Sequence, residues 1–276
     1  MLGMSKVDLS GKVVVVTGAS MGIGEGLARI FVEHGAAAVL LSRDAGRAEA
    51  ARERIANTQR TLALACDVRH REEIDRAISL TLHHFQRIDI WINNAGHGLR
   101  DSIVQAEMAL VRDTFETNFF GALAAMQAVF PVMQRQGSGV MINISSVAGH
   151  IALPYHAIYS ATKFAMNAIS KAARVELKQN NIHVMTVCPG YVRTDFGANI
   201  VRGKDERQVR PASVRGISVE RVAQAVLRGY VKQNREVIVP WTMQPMVKLY
   251  QLFPALVEWQ MGKMARKVSQ AGGVQA

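Results

Sequence analysis

The stretch "KVVVVTGASMGIGEGLARIFVEHG", residues 12–35, carries the reading on which the fold turns. It opens with four valines, Val13 to Val16, a β-branched run that suits a strand buried on both faces. It closes with apolar residues at helical spacing from residue 24 to Gly35, a residue suited to ending a helix. Between them "TGASMGIG" (17–24) turns the chain. Gly18, Gly22 and Gly24 permit a tight turn and close approach of backbone to a ligand. The helix that follows offers unpaired N–H groups and the positive end of its dipole. A glycine-rich turn between a buried strand and a helix fits a dinucleotide pyrophosphate, with Ser20, Met21 and Ile23 completing the loop.

The pattern repeats outward from there. Strands are expected at 37–42, 61–68, 88–96, 139–146 and 182–190, and helices at 45–57, 70–86, roughly 102–135 and 157–180. Near-continuous apolar strands alternating with helices predict a parallel sheet covered on both faces. Right-handed crossovers then make it a doubly wound α/β sheet, Rossmann-like, in a single domain. No linker or solenoid repeat divides residues 1–240, and 241–276 read as an apolar, basic C-terminal extension packed on that domain or at an interface. Ligands of such sheets bind beyond the carboxyl ends of the strands. Gly18, Arg43, Asp67, Asn94, Ser146 and Pro189 all fall at or just after expected strand ends.

The totals agree with one enzyme-sized domain. The chain has 276 residues and 30.2 kDa, 49% hydrophobic and 20% charged. Its net charge of +11 is dispersed and accompanies no nucleic-acid signature, so a nucleic-acid partner is not expected. Cys66 and Cys188 both lie in apolar runs and read as reduced core thiols of a cytoplasmic protein. No signal-peptide pattern opens the chain, and no apolar run reaches the ~20 residues of a membrane span.

The second strand ends "VLLSRDAGR". Ser42 stands where an NAD binder carries the acid that grips the ribose 2′-OH, and Arg43 follows it. A guanidinium there pairs with a 2′-phosphate, which favours NADP(H) over NAD(H). A one-residue slip would instead make Asp44 the ribose acid.

In "YSATK" (159–163), Tyr159 and Lys163 lie four apart and share one helix face. A free phenol titrates near about 10, and a neighbouring ammonium lowers that value, bringing the hydroxyl toward use as an acid/base at neutral pH. Tyr155 has Tyr159 rather than a lysine four residues on, and reads as pocket lining or packing. "NISSVAG" (143–149) ends the fifth strand with Ser145 and Ser146, either able to donate to a developing oxyanion. "NNAG" (93–96) closes the fourth strand, and Asn118 stands in "TNFFG" on the long helix.

"TGASMGIG", "CDV", "NNAG", Asn118, "NISSVAG", "YSATK" and "PGYVRT" (189–194) together resemble the short-chain dehydrogenases/reductases, over roughly residues 10–240. The resemblance implies that Tyr159 is the general acid/base, that Lys163 tunes it and holds the nicotinamide ribose, and that Ser146 holds the substrate oxygen. Asn118 would hold a water in a proton relay, and Ser145 would be structural. Asp67 and Val68 would contact adenine, while Asn94, Ala95 and Gly96 shape the cofactor's bed. Pro189, Gly190, Val192 and Thr194 would meet the nicotinamide end. Met21 departs from the basic residue that many NADP-preferring members carry at that place. The implied reaction moves hydride between nicotinamide and substrate carbon while Tyr159 exchanges a proton with the oxygen, with carbonyl reduction the expected direction. Dimers or tetramers built on the two long helices are expected by the same analogy.

Residues 190–217 read as a substrate lid, with Arg193, Arg202, Lys204, Arg207, Arg210 and Arg215 against Asp195, Asp205 and Glu206. They form either a solvated cover or a grip for an acidic carrier. The segment 240–267 is rich in Met, Leu, Val and Trp. It would roof the site, enter a subunit interface or lie on an anionic membrane. An apolar roof would suit a hydrophobic ketone or aldehyde. The rival readings are a 3-oxoacyl-thioester reductase and a silent dinucleotide-binding regulator. His97, His150 and His156 follow strand ends and His183 lies in a strand, none at metal-ligand spacing, so no metal is expected. The sequon "NIS" (143–145) falls in an expected buried strand.

Overall fold

A computed structural model describes residues 7–55, 58–205 and 216–272. Seven parallel strands form one sheet: β1 Val13–Thr17, β2 Ala37–Ser42, β3 Thr61–Ala65, β4 Ile90–Asn93, β5 Gly139–Ile144, β6 Ile182–Pro189 and β7 Glu236–Val239. Their order is β3-β2-β1-β4-β5-β6-β7, so the winding reverses beside β1. The valines of β1 are central and entirely buried, pairing Val14 with Ala38 on one side and with Ile90 on the other. A second, two-stranded pairing joins Leu99–Arg100 to Val201–Arg202.

Helices cover both faces because each presents one apolar stripe. On one face lie α1 (Gly22–Glu33) and α7 (Val219–Val231), whose Leu27, Phe31, Val222 and Val226 pack on the sheet. On the other, α3 (Arg71–Phe85) buries Ile74, Ala77, Ile78 and Thr81 at helical spacing. α2 spans Ala45–Arg54, and α6 spans Ala157–Glu176. Trp91, Val129 and Met133 fill the core on the α3 side of the sheet.

The long helix expected over 102–135 differs in a way that bears on the site. It starts later, as α4 (Met108–Phe115), after a turn in which the N–H of Ala106 bonds Ser102 O at 3.0 Å. It then widens into a π-turn, Glu116–Phe120, before continuing as α5 (Gly121–Gln136). Such single π-turns sit frequently at functional sites, and this one carries Asn118. Past β7, two further helices, α8 (Gln244–Leu252) and α9 (Pro254–Gly272), complete the described chain.

Polar residues inside the apolar strands have a structural reason. Trp91 Nε1 donates to Asn93 Oδ1, Asn93 Nδ2 to Asn143 Oδ1 and Asn143 Nδ2 to Ser170 Oγ, each at 2.8 Å. This buried chain ties β4 to β5 and to α6. Asn143 of the sequon is fully buried within it. Both cysteines are free and buried, and burial pushes each thiol up to about 12.

Candidate active site

The glycine loop is shaped by what lies behind it. Gly18 has φ +63°, and a Cβ there would stand 2.8 Å from Ala95 Cα. At Gly24 a Cβ would come within 2.4 Å of Gly18 O and 2.5 Å of Asn94 Nδ2. Backbone is therefore packed against backbone, which only glycine permits. "NNAG" locks the loop from β4. Asn94 Nδ2 donates to Thr17 O (2.9 Å) and Gly18 O (3.0 Å). Thr17 Oγ1 accepts from the N–H groups of Asn94 (2.9 Å) and Ala95 (3.0 Å). Met21 precedes α1 with no side-chain cap, so the helix N-terminus is left to other acceptors. Gly22 faces Thr194, whose Cγ2 would lie 3.4 Å from an added Cβ. The loop and the segment after β6 thus approach one another at Gly22 and Thr194, while Ile23 of the loop packs on the core.

At the end of β2, Asp44 has a partner within the chain. Its carboxylate accepts the N–H of Arg47 at 2.8 Å and caps α2. Ser42 is buried and its Oγ accepts from the Asp44 N–H at 3.3 Å. Arg43 between them is exposed.

Asp67 and Val68 follow β3. A residue the sequence reading passed over dominates here: Arg69 grips both Asp67 carboxylate oxygens (2.6 Å at Oδ2, 3.0 Å at Oδ1) and reaches Asp113 Oδ1 at 2.7 Å. Arg69 and the nearby Arg43 hold the Asp67 carboxyl below the usual range despite its burial. Asp67 therefore comes paired with a guanidinium, which only the position of Arg69 two residues on could have signalled.

Ser146, Tyr159 and Lys163 come together at the ends of β5 and β6. Tyr159 is buried close enough to Ser146 for that side chain to lower its pKa. Ser146 Oγ accepts the Ala148 N–H (3.1 Å) and donates to Pro189 O (3.4 Å). Lys163 is buried, its Nζ donating to Ile144 O at 2.9 Å and lying 5.7 Å from the centre of the Tyr159 ring. Ser145 Oγ donates to Lys163 O at 3.2 Å, stitching α6 to the end of β5. Asn118 is buried in the π-turn; its Oδ1 accepts the His97 N–H (2.9 Å) and its Nδ2 donates to His97 O (2.8 Å) and Thr162 Oγ1 (3.2 Å). Gly96 sits against it, since a Cβ would come 2.9 Å from Asn118 Oδ1.

Burial is the largest cause acting on both Tyr159 and Lys163. It pushes Tyr159 up to about 12, partly offset by Ser146, and brings Lys163 down to about 8.

Other predicted residues are placed as follows. Gly190 N–H bonds Val239 O at 2.8 Å, and Val192 bridges Ile217. Tyr155 has φ +60° and its carbonyl accepts the Asp101 N–H at 3.0 Å. The Tyr159 ring lies 5.9 Å from that of Phe196, centre to centre, which brings an aromatic of the segment 190–217 beside Tyr159. Arg207, Arg210, Arg215 and Glu206 lie outside the described residues. His150 Nε2 is 3.2 Å from Glu236 Oε1 and 3.5 Å from Cys188 Sγ. Although His150 lacks metal-ligand spacing in sequence, the fold gathers these three side chains. A His150–Glu236 hydrogen bond accounts for the arrangement, and it holds the Glu236 carboxyl below its usual range.

A doubly wound sheet with a glycine loop at its winding reversal and a Ser-Tyr-Lys group beside it defines the class of dinucleotide-dependent oxidoreductases. The short chain dehydrogenase family profile matches residues 12–205, and the chain belongs to that family. It is 32% identical to the Drosophila melanogaster dehydrogenase/reductase SDR family protein 7-like, over 96% of this chain and 83% of that one. Among solved structures it is similar to a 3-ketoacyl-(acyl-carrier-protein) reductase of Brucella melitensis complexed with NADH (28% identity, TM-score 0.76, 84% of this chain and 98% of that one). It is likewise similar to a Burkholderia cenocepacia short chain dehydrogenase in complex with NADP (26% identity, TM-score 0.77, 92% and 98%).

Proposed function

We propose that the protein is an NADPH-dependent reductase of hydrophobic ketones and aldehydes, and that Tyr159, Lys163, Ser146 and Asn118 are its proton-handling residues. The observation that supports this reading is the grouping of Tyr159 with Ser146 and a buried Lys163, whose Nζ lies 5.7 Å from the centre of the Tyr159 ring, on a sheet that carries a close-packed glycine loop at its winding reversal. The close-packed Gly18 and Gly24, which no side chain could replace, fit a bound dinucleotide. Gly18 to Gly24 would hold its pyrophosphate, Asp67 and Val68 its adenine, and Asn94 to Gly96 with Pro189, Gly190, Val192 and Thr194 its nicotinamide end. When bound, the nicotinamide supplies the hydride. Ser146 and Tyr159 would both donate to the carbonyl oxygen, polarising it as negative charge develops there. The raised Tyr159 pKa keeps the hydroxyl protonated and ready to give its proton to the resulting alkoxide. Lys163 would hold the nicotinamide ribose and restore that proton. Asn118 would place the relay water through the backbone of its π-turn, because its side-chain amide already holds the His97 peptide.

Preference for NADP rests on Arg43. With Asp44 committed to capping α2, Arg43 is the exposed charged group at the end of β2 suited to a 2′-phosphate. Substituting Arg43 by Ala should weaken NADPH binding by tenfold or more, roughly 1.4 kcal/mol, and leave NADH binding unchanged, read by fluorescence titration. Equal loss for both cofactors would sink the assignment.

Phe196 beside Tyr159 favours an apolar substrate. A 3-oxoacyl thioester is the second reading, supported by the Brucella melitensis relative and by the basic Arg193 and Arg202 on the lid. Assaying acyl-thioester against simple ketone substrates separates the two. A homo-oligomer paired through α5 and α6 fits the exposed Phe120, in the π-turn just before α5, and Phe164 of α6.

A further inference from the structure

The helical hairpin α8–α9 has an inner and an outer apolar face. Val247, Tyr250 and Met261 point inward and pack with Val147, Ile151 and Ile238, close to the end of β5 that carries Ser146. The outer face holds Trp241 (68% exposed), Met246, Leu249, Leu252 (71%), Phe253 (59%), Leu256 and Trp259 (56%). On α8, Met246 and Leu249 follow at helical spacing, and Phe253 caps the helix. On α9, Leu256, Trp259, Lys263 and Arg266 share one stripe, apolar at the start and basic toward the end. So many exposed large apolar side chains on one short hairpin, two of them tryptophans, mark a contact site.

The charges decide the occupant. Between Trp241 and Arg266 the chain carries Lys248, Lys263 and Arg266 against Glu258 alone. Glu258 Oε1 accepts the Tyr250 hydroxyl at 3.2 Å, so this carboxylate is engaged within the hairpin. Lys263 Nζ lies 3.4 Å above the Trp259 ring, fixing a cation at the border of the apolar surface. A second copy meeting this face about a two-fold axis would set cations against cations. An anionic headgroup layer would neutralise them while its acyl region receives the leucines and aromatics. Among the described residues no helix is long and apolar enough to cross a membrane, so the contact would lie in the interface plane. The geometry points to residues 241–266 as a docking surface for an anionic phospholipid bilayer. Its inner face adjoins the end of β5, so docking would set the substrate cleft beside the lipid phase. The docking itself stands or falls independently of the catalytic reading.

The test is flotation of the full-length protein with vesicles of phosphatidylcholine alone or mixed with phosphatidylserine, at low and high salt. Tryptophan emission is followed in parallel, since Trp241 and Trp259 are exposed whereas Trp91 is fully buried. Expected are binding to the anionic vesicles with a blue shift, and affinity for neutral vesicles weaker by about tenfold or more. The double substitution F253S/W259S should abolish binding, and K263E/R266E should remove the anionic preference, while NADPH binding by both variants is unchanged. No binding to either vesicle overturns the proposal, as does equal binding to both. An oligomer in solution that F253S/W259S dissociates, without any lipid binding by the parent, would assign the face to a second copy instead.

Discussion

Substituting Lys163 by Met should stabilise the cofactor-free protein at neutral pH while removing its activity. Lys163 is 5% exposed, and burial lowers its pKa from 10.5 to about 8. Between those values the unfolded chain retains a proton that the folded protein has released, so stability rises with pH across that window. Below about 8 the cost of holding a buried ammonium is fully present, and at pH 7 it amounts to roughly 3 kcal/mol. Methionine removes that cost and fills a similar volume, at the loss of the Nζ–Ile144 O hydrogen bond, about 1 kcal/mol. The variant should therefore be more stable than the parent by about 2 kcal/mol at pH 7. At pH 9.5 the penalty has fallen by about 2 kcal/mol, and the two proteins should be nearly equal. Urea denaturation at both pH values, with turnover measured alongside, decides the matter. A variant less stable than the parent at pH 7, with a difference that does not change with pH, would refute the desolvation argument. It would also show the ammonium to be held by compensating charge.

Other perturbations probe the cofactor's bed. Thr17→Val leaves the N–H groups of Asn94 and Ala95 without their buried acceptor, costing about 2–4 kcal/mol in thermal or urea unfolding; a loss below about 0.5 kcal/mol would mean that water replaces the hydroxyl. Gly24→Ala forces a methyl against Gly18 O and Asn94 Nδ2, so NADPH affinity should fall by about tenfold or more, and unchanged titrations would show the loop to be slack.

The buried valines of β1, the glycine spacing and the period of α1, α3 and α6 were legible because packing in a parallel sheet imposes them directly on sequence. Other features were not. β7 is only Glu236–Val239, too short to signal itself. Pro245 and Pro254 read as interruptions of the tail, yet they sit at the starts of α8 and α9, where a missing N–H costs nothing. The π-turn leaves no periodic mark in "FETNFFG". The capping of α2 by Asp44, through its bond to the Arg47 N–H, was not read from the sequence, where Asp44 stood only as a candidate ribose acid. Arg69 looked like one surface charge among many, and only the approach of Asp113 from α4 makes it a clamp on Asp67. The direction of the Tyr159 shift depends on how dry the pocket is, a property of the packed molecule rather than of residue spacing.

The most direct test is NADPH oxidation with a hydrophobic ketone, comparing the parent with Tyr159→Phe, each first titrated with NADPH. NADPH binding should be retained and turnover should fall by about a hundredfold or more. Turnover equal to the parent's would contradict the assignment of Tyr159 as the proton donor.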